Sequence, residues 1–85
     1  MQHTSIESEI AIQQDTSRLR RVVYESILLS GEKGRTDEEV QDLTRMNPST
    51  QRPRRIELQR DGAVYDSGRR RSTKSGRSAI VWQAR

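Results

Sequence analysis

Cysteine and phenylalanine are both absent from this 85-residue chain. Without cysteine there is neither a disulfide framework nor a thiolate metal site. Aromatic residues make up only 4% of the chain and hydrophobic residues 29%. Because a short chain buries little surface per residue, this composition predicts one small domain with a thin core. Such a core gives marginal stability, to which a partner chain or a ligand can add.

Long hydrophobic runs are also missing. Residues 1–30 contain no apolar stretch as long as a signal peptide or a membrane span, and Glu7, Glu9 and Asp15 interrupt them. We therefore expect a protein that does not enter the membrane and that resides in the cytoplasm.

Charge is plentiful but unevenly distributed. Residues 1–44 carry five Lys/Arg and nine Asp/Glu, whereas residues 45–85 carry eleven Lys/Arg and three Asp/Glu, giving net charges of −4 and +8. A clustered cationic surface raises the local concentration of polyanions, so the basic half is the expected place of function. Its two concentrated basic segments are Arg52–Arg55 and Arg69–Arg77.

Periodicity and capping signals predict three helices, over residues 16–30, from Thr36, and from Pro48 to about residue 61. The first has apolar residues at the i, i+3, i+4 spacing of a helix that buries one stripe. Thr36 and Glu39 form a capping box for the second, whose apolar stripe is Val40 and Leu43. Asn47 and Pro48 begin the third as N-cap and first helical residue, and Gly62 ends it.

Two further features qualify this pattern. Pro53 lies inside the third helix, where it removes a backbone hydrogen bond, so we expect a kink or a late start there. Residues 1–15 are predicted to be an amino-terminal extension, in which Thr4 and Glu7 suggest a cap for a short helix at 5–14.

After Gly62 the period changes to that of β-strands. Ala63–Asp66 and Ala79–Gln83 predict two short strands, joined by an arginine-rich hairpin that contains glycine. The predicted fold class is therefore α+β, with a core of three helices followed by a two-stranded β-hairpin, all within residues 16–85.

This order of elements resembles a known family. Residues 36–64 resemble the helix-turn-helix of winged-helix DNA-binding proteins. The continuation through Asp66–Gly68 and Thr73–Arg77 to Ala79–Trp82 is similar to the wing of small proteins common in bacteriophage genomes. The resemblance covers about half of the chain. Gln51 and Arg55 depart from it, because many relatives place apolar residues at these positions.

The resemblance implies that the third helix enters the DNA major groove. Its first turns would reach base edges, and there Arg52 is the expected direct reader of guanine, while Gln51 suits adenine. Arg54 and Arg55 are expected on backbone phosphates. The wing, residues 67–77, would follow the backbone or enter the minor groove. The candidate DNA-contacting residues are Ser49, Thr50, Gln51, Arg52, Arg54, Arg55, Arg69, Arg70, Arg71, Lys74 and Arg77.

Other functions find less support in the sequence. The acidic residues Asp37, Glu38, Glu39 and Asp42 are explained by helix capping and solvation better than by metal binding or acid–base catalysis. The single histidine, His3, and the serines offer no nucleophile–base pair. We therefore expect no enzyme activity, no metal and no cofactor. Tyr65 and Trp82 are suited to stacking on bases, but in so apolar-poor a chain we expect them in the core.

The sequence thus predicts a binder of double-stranded DNA, a small phage-type regulator of transcription acting in a bacterial host. An accessory factor for DNA recombination, replication or packaging is the first alternative. A protein-interaction module is the second, with the acidic amino-terminal half docking a basic partner. A homodimer that reads two half-sites would give useful specificity, with Ile6, Ile10 and Ile12 as candidate contacts or as a flap over the chain's own core.

Overall fold

The computed structural model describes residues 16–85, so the predicted helix at 5–14 and the isoleucines of the amino-terminal extension lie outside the described residues. The fold is α+β: three α-helices precede a two-stranded antiparallel β-hairpin. This layout is compatible with a winged helix.

The three predicted helices are confirmed. Helix α1 spans Thr16–Leu29, α2 spans Asp37–Thr44 and α3 spans Pro48–Arg60, with a short 3-10 helix at Gly31–Lys33 between α1 and α2. Of the two alternatives predicted at Pro53, the late start is wrong, because the helix begins at Pro48 and continues through Pro53; the kink stays a prediction. The lost backbone bond would have reached the carbonyl of Ser49, an exposed residue of the first turn that water can satisfy.

The predicted capping box at the start of α2 is present in full. The Thr36 hydroxyl accepts a hydrogen bond from the Glu39 amide at 3.2 Å, and the Glu39 carboxylate accepts one from the Thr36 amide at 3.0 Å. The predicted stripe of this helix is only half right: Val40 is fully buried, whereas Leu43 is 53% exposed. One buried apolar residue is enough to attach so short a helix.

Both strands are longer than predicted. β1 spans Val64–Ser72 and β2 spans Ser78–Ala84, and an irregularity of register lies between Asp66 and Arg70. Gly68, at φ +85°, allows the chain to pass this irregularity and continue pairing. The residues Arg69, Arg70 and Arg71 are therefore strand residues, and the loop between the strands is reduced to residues 73–77, called here the wing tip.

The core lies between the three helices and the hairpin. Its buried cluster consists of Val23, Ile27, Val40, Leu58, Val64 and Trp82. Trp82 is 3% exposed, as expected for a core residue, whereas Tyr65 is half-buried outside this cluster. Arg35 adds a bridge to β2, because its amide and carbonyl exchange hydrogen bonds with Trp82 at 3.0 and 2.8 Å. Within residues 16–85, no helix has the length and apolarity needed to cross a membrane.

Candidate nucleic-acid interface

Helices α2 and α3 are joined by a three-residue turn, residues 45–47, as in a helix-turn-helix. The first residue of the turn, Arg45, has a left-handed backbone at φ 64° and ψ 21°. Glycine is the residue that adopts this conformation without strain, and such turns often contain it. Because arginine stands there instead, the conformation of this turn could not be predicted from the residue type.

Replacing Arg45 by glycine is expected to stabilise the protein. A left-handed backbone costs a residue with a side chain about 1–2 kcal/mol, and glycine avoids this cost. Part of the gain is lost because glycine has greater conformational freedom in the unfolded chain. A net gain of about 0.5–1 kcal/mol remains, which raises Tm by about 2–6 °C. Thermal unfolding of Arg45→Gly and Arg45→Ala separates the effect of backbone strain from that of the arginine charge. An equal rise of Tm in both variants would assign the effect to the lost charge.

The solvent-facing side of α3 retains part of the predicted contact set. Ser49 and Arg52 are exposed and Thr50 is half-buried. The Arg52 guanidinium makes no ion pair with any residue between 16 and 85. These three side chains are therefore accessible in the first turns of α3, where the sequence placed them.

Gln51 is a correction to the predicted contacts. Its side chain is fully buried between α2 and α3. Its amide oxygen accepts a hydrogen bond from Gln41 at 2.9 Å, and its amide nitrogen donates one to Asp37 at 3.0 Å. The interpretation of Gln51 as an adenine reader is wrong, because its amide is enclosed and already satisfied. Gln51 is thus a buried polar link between two helices.

The predicted phosphate contacts Arg54 and Arg55 are both engaged inside the protein. Arg55 donates to both carboxylate oxygens of Asp37, at 2.7 Å from Nη2 to Oδ2, and its guanidinium lies 4.3 Å from the centroid of the Trp82 ring. Arg54 donates twice to Glu57 at 2.9 Å. The side chain of Arg55 is only 15% exposed and that of Arg54 only 18%. Neither arginine is therefore available to bind DNA phosphates.

Glu57 holds α3 against α1. It accepts hydrogen bonds from Arg54 of its own helix and from Arg20 of α1, the latter at 3.0 Å. The hydrogen bond from Arg54 is the largest influence on this carboxylate; with the bond from Arg20 it holds the pKa of Glu57 below its ordinary value, against a smaller opposing effect of desolvation. This cluster fixes the orientation of α3 relative to the rest of the domain.

The arginines of β1 are divided between two faces of the hairpin, as the period of a strand requires. Arg69 donates to the backbone carbonyl of Glu32, and Arg71 donates to the Lys33 carbonyl at 2.7 Å. Arg70, between them, is 56% exposed and lies 3.9 Å from Asp66. Of these three cations, Arg70 is the one that the strand leaves most available to a ligand.

Arg71 also pairs with the helix cap. Its Nη1 lies 2.6 and 2.8 Å from the two carboxylate oxygens of Glu39. Burial tends to raise the pKa of Glu39, but the hydrogen bonds from Arg71 and from the Thr36 amide outweigh it and hold the pKa below its ordinary value. One carboxylate thus caps α2 and attaches the wing to it.

The wing tip is attached to α2 by two further acids. The Glu38 carboxylate accepts hydrogen bonds from the Lys74 amide at 2.8 Å and from the Ser75 hydroxyl at 3.2 Å. Asp42 lies 3.0 Å from the Lys74 ammonium and raises the pKa of Lys74 by hydrogen bonding. Arg77 is exposed and has no ion-pair partner in the described part of the chain.

Arg52 of α3 and Arg77 of the wing tip meet at one cavity of about 270 Å³. Glu38, Asp37 and Gln41 of α2 also line it, together with the hydroxyl-bearing residues Thr73, Ser75 and Ser78. The structure therefore brings the two predicted basic segments together at this point, whereas it directs Arg54, Arg55, Arg69 and Arg71 toward other protein groups.

The role of the α2 acids was not predicted. The basic segment of the wing contains no acid of its own, and the partners of Arg69, Arg71 and Lys74 come from α2 and from the 3-10 helix, more than thirty positions earlier. The only available signal was the opposite charge of the two halves of the chain. Among residues 16–85, no group of three or more His, Asp or Glu is arranged to hold a metal ion.

Comparison of this chain with models of protein families, with curated proteins and with solved structures finds no match.

Proposed function

We propose that this protein binds double-stranded DNA as a winged helix-turn-helix, with α3 in the major groove and the hairpin on the backbone or in the minor groove. The observation that carries the proposal is the convergence of Arg52 from α3 and Arg77 from the wing tip at one cavity. A surface on which a helix and a hairpin present cations side by side matches the footprint of a duplex. The proposed contacts are Ser49, Thr50, Arg52, Arg70, Lys74 and Arg77.

The biological role that we propose is regulation of transcription by a small phage-type protein in the bacterial cytoplasm. A domain of this size covers limited DNA, so a homodimer on two half-sites is the proposed form. An accessory role in recombination, replication or packaging uses the same surface, and it would appear as bending of DNA and occupancy of several neighbouring sites rather than of one operator.

The protein-interaction alternative is weakened by the pairing of the α2 acids. Asp37, Glu39 and Asp42 each pair with a cation of this chain, and Glu38 is bound to the wing tip. A basic protein partner would have to displace these contacts to reach the α2 acids. Helix α2 therefore offers such a partner less acidic surface than its sequence suggests, whereas Glu25 and Glu32 are exposed.

Titration of a random duplex at 50 and 200 mM salt tests the proposal. Three exposed cations on phosphates, namely Arg70, Lys74 and Arg77, predict a slope of log K against log salt near −2.7, or a loss of affinity of about 40-fold over this range. Negligible binding at 50 mM salt would contradict DNA binding and favour the protein-interaction alternative. The matched control is a single-strand oligonucleotide of equal charge, for which weaker binding is expected.

A further inference from the structure

The cavity lined by Arg52 and Arg77 is small and polar. Pockets that enclose a whole small molecule measure about 300–1,000 Å³, and this one measures about 270 Å³. Arg52 and Arg77 are exposed and have no ion pair within residues 16–85. Two acids on the same wall are engaged: Asp37 pairs with Arg55 at 2.7 Å, and Glu38 accepts hydrogen bonds from the wing tip. Hydroxyls of the hairpin complete the lining.

The position of Arg77 depends on the wing tip, whose conformation is fixed within the loop itself. The Thr73 amide donates to the Arg77 carbonyl at 2.8 Å, and the Gly76 amide donates to the Thr73 carbonyl at 2.9 Å. The Thr73 and Ser75 hydroxyls lie 2.8 Å apart. The tip is thus a rigid loop, but nothing in these bonds sets its distance from α3.

Glu38 supplies that missing constraint. Both of its carboxylate oxygens are used by the wing tip, one by the Lys74 amide and the other by the Ser75 hydroxyl. Glu38 itself is in the first turn of α2, the helix that the buried Gln51 joins to α3. A chain of hydrogen bonds therefore fixes the wing tip to α2 and α2 to the helix that carries Arg52.

We propose that Arg52 and Arg77 together bind one backbone phosphate of the duplex, and that Glu38 is the positioning residue that holds the wing tip where the two guanidinium groups converge. This inference rests on the proposed function and changes the role of Arg52 from reading a base to binding a phosphate. Helix α3 and the wing then contact the same phosphate of the DNA backbone.

The two possible roles of Glu38 predict opposite changes in DNA affinity when it is replaced. Removal of an acid from a DNA-binding surface strengthens binding to phosphates if the acid acts only by its charge. If Glu38 positions the wing tip, Glu38→Ala instead weakens binding to a random duplex about fivefold, because Arg77 leaves the phosphate that Arg52 still contacts. Glu38→Gln retains an oxygen acceptor and an amino donor for the tip, so it is expected to bind at least as tightly as the wild type.

Asp42→Ala is the matched control on the same helix. Asp42 contacts the wing only through the exposed Lys74 ammonium, whose side chain is 83% exposed, so its removal frees a cation and should strengthen binding about twofold. Tighter binding of Glu38→Ala, parallel to Asp42→Ala, would overturn the positioning role. Far-UV circular dichroism of each variant checks the fold, and Glu38→Gln provides the comparison if Glu38→Ala is unstable.

The shared phosphate has its own readout. Arg52→Ala and Arg77→Ala should each weaken binding to a random duplex while reducing the salt slope by less than 1, because the other guanidinium still contacts the phosphate; the double variant should reduce the slope by about 1. A reduction of about 2 in the double variant would assign two separate phosphates, and unchanged affinity of Arg52→Ala for a random duplex would return Arg52 to base reading; either result would overturn the shared site. Absence of any binding by the wild-type protein at 50 mM salt would instead overturn the proposed function, and the inference with it.

Discussion

Substitution of Gly34 by alanine is expected to destabilise the fold by about 3 kcal/mol or more and to lower Tm by at least 12 °C. An added Cβ would lie 2.5 Å from Cγ1 of Val81 and 2.6 Å from the carbonyl oxygen of Trp82. The residue also has φ +70° and ψ 178°, a region essentially confined to glycine, where a side chain costs about 1–3 kcal/mol without any clash. Overpacking of a core adds about 1–3 kcal/mol.

The neighbouring strand cannot relieve this clash by moving. The same Trp82 carbonyl accepts the amide of Arg35 at 3.0 Å, and the Trp82 ring lies in the core. Displacement of this peptide would break the bridge between Arg35 and β2 and disturb the stacking of Arg55 on the ring. The close approach at Gly34 is thus the contact by which the chain between α1 and α2 attaches to the sheet.

Gly31→Ala is the matched control for this substitution. Gly31 also has a positive φ, +59°, but no atom lies within 4 Å of the position of its added Cβ. A positive φ therefore penalises both variants and a clash only Gly34→Ala, so Gly31→Ala should cost only about 1–2 kcal/mol. Thermal unfolding of the two variants measures the difference, and equal melting temperatures would contradict the clash at Gly34.

Asp37→Ala is expected to destabilise the protein by about 2–3 kcal/mol. The Asp37 carboxylate accepts hydrogen bonds from Gln51 at 3.0 Å and from Arg55 at 2.7 Å. Gln51 is fully buried and the Arg55 side chain is 15% exposed. Loss of the carboxylate therefore leaves a buried amide and a largely enclosed guanidinium without their acceptor, which costs more than the loss of an exposed pair.

Asp42→Ala is the comparison for this prediction. It removes an acid from the same helix, but its ion pair with Lys74 joins side chains that are 52% and 83% exposed, so its loss should change the free energy of unfolding by less than about 1 kcal/mol. Urea unfolding of both variants measures the two free energies. Asp37→Asn, which keeps an oxygen for Gln51, should fall between them; equal stabilities of Asp37→Ala and Asp42→Ala would refute the role assigned to Asp37.

Local signals predicted the helices well. The capping box at Thr36 and Glu39, the proline at the first position of α3 and the glycine after its end each act through neighbours within four positions, so their effects can be read from a short stretch of chain. Pro53 misled the prediction because its penalty depends on whether the freed carbonyl reaches solvent. That is a property of the folded surface.

The hairpin was harder to delimit from the sequence. Arg69, Arg70 and Arg71 have neither the branching nor the alternation of a typical strand, and a cluster of cations next to glycine favours a loop. They are strand residues because β2 offers a partner and because Arg69 and Arg71 find acceptors on one face. Pairing with a distant segment thus outweighed a weak local preference.

The α+β class, the order of the elements and the concentration of positive charge in the second half can be read from the chain, because they follow from local spacing, capping and composition. Which cations remain available depends on the folded arrangement. Asp37, Glu38, Glu39 and Asp42 lie far along the chain from most of the groups that they bind, and only folding brings such groups within hydrogen-bonding distance. Arg52 and Arg77, by contrast, are left facing a common cavity.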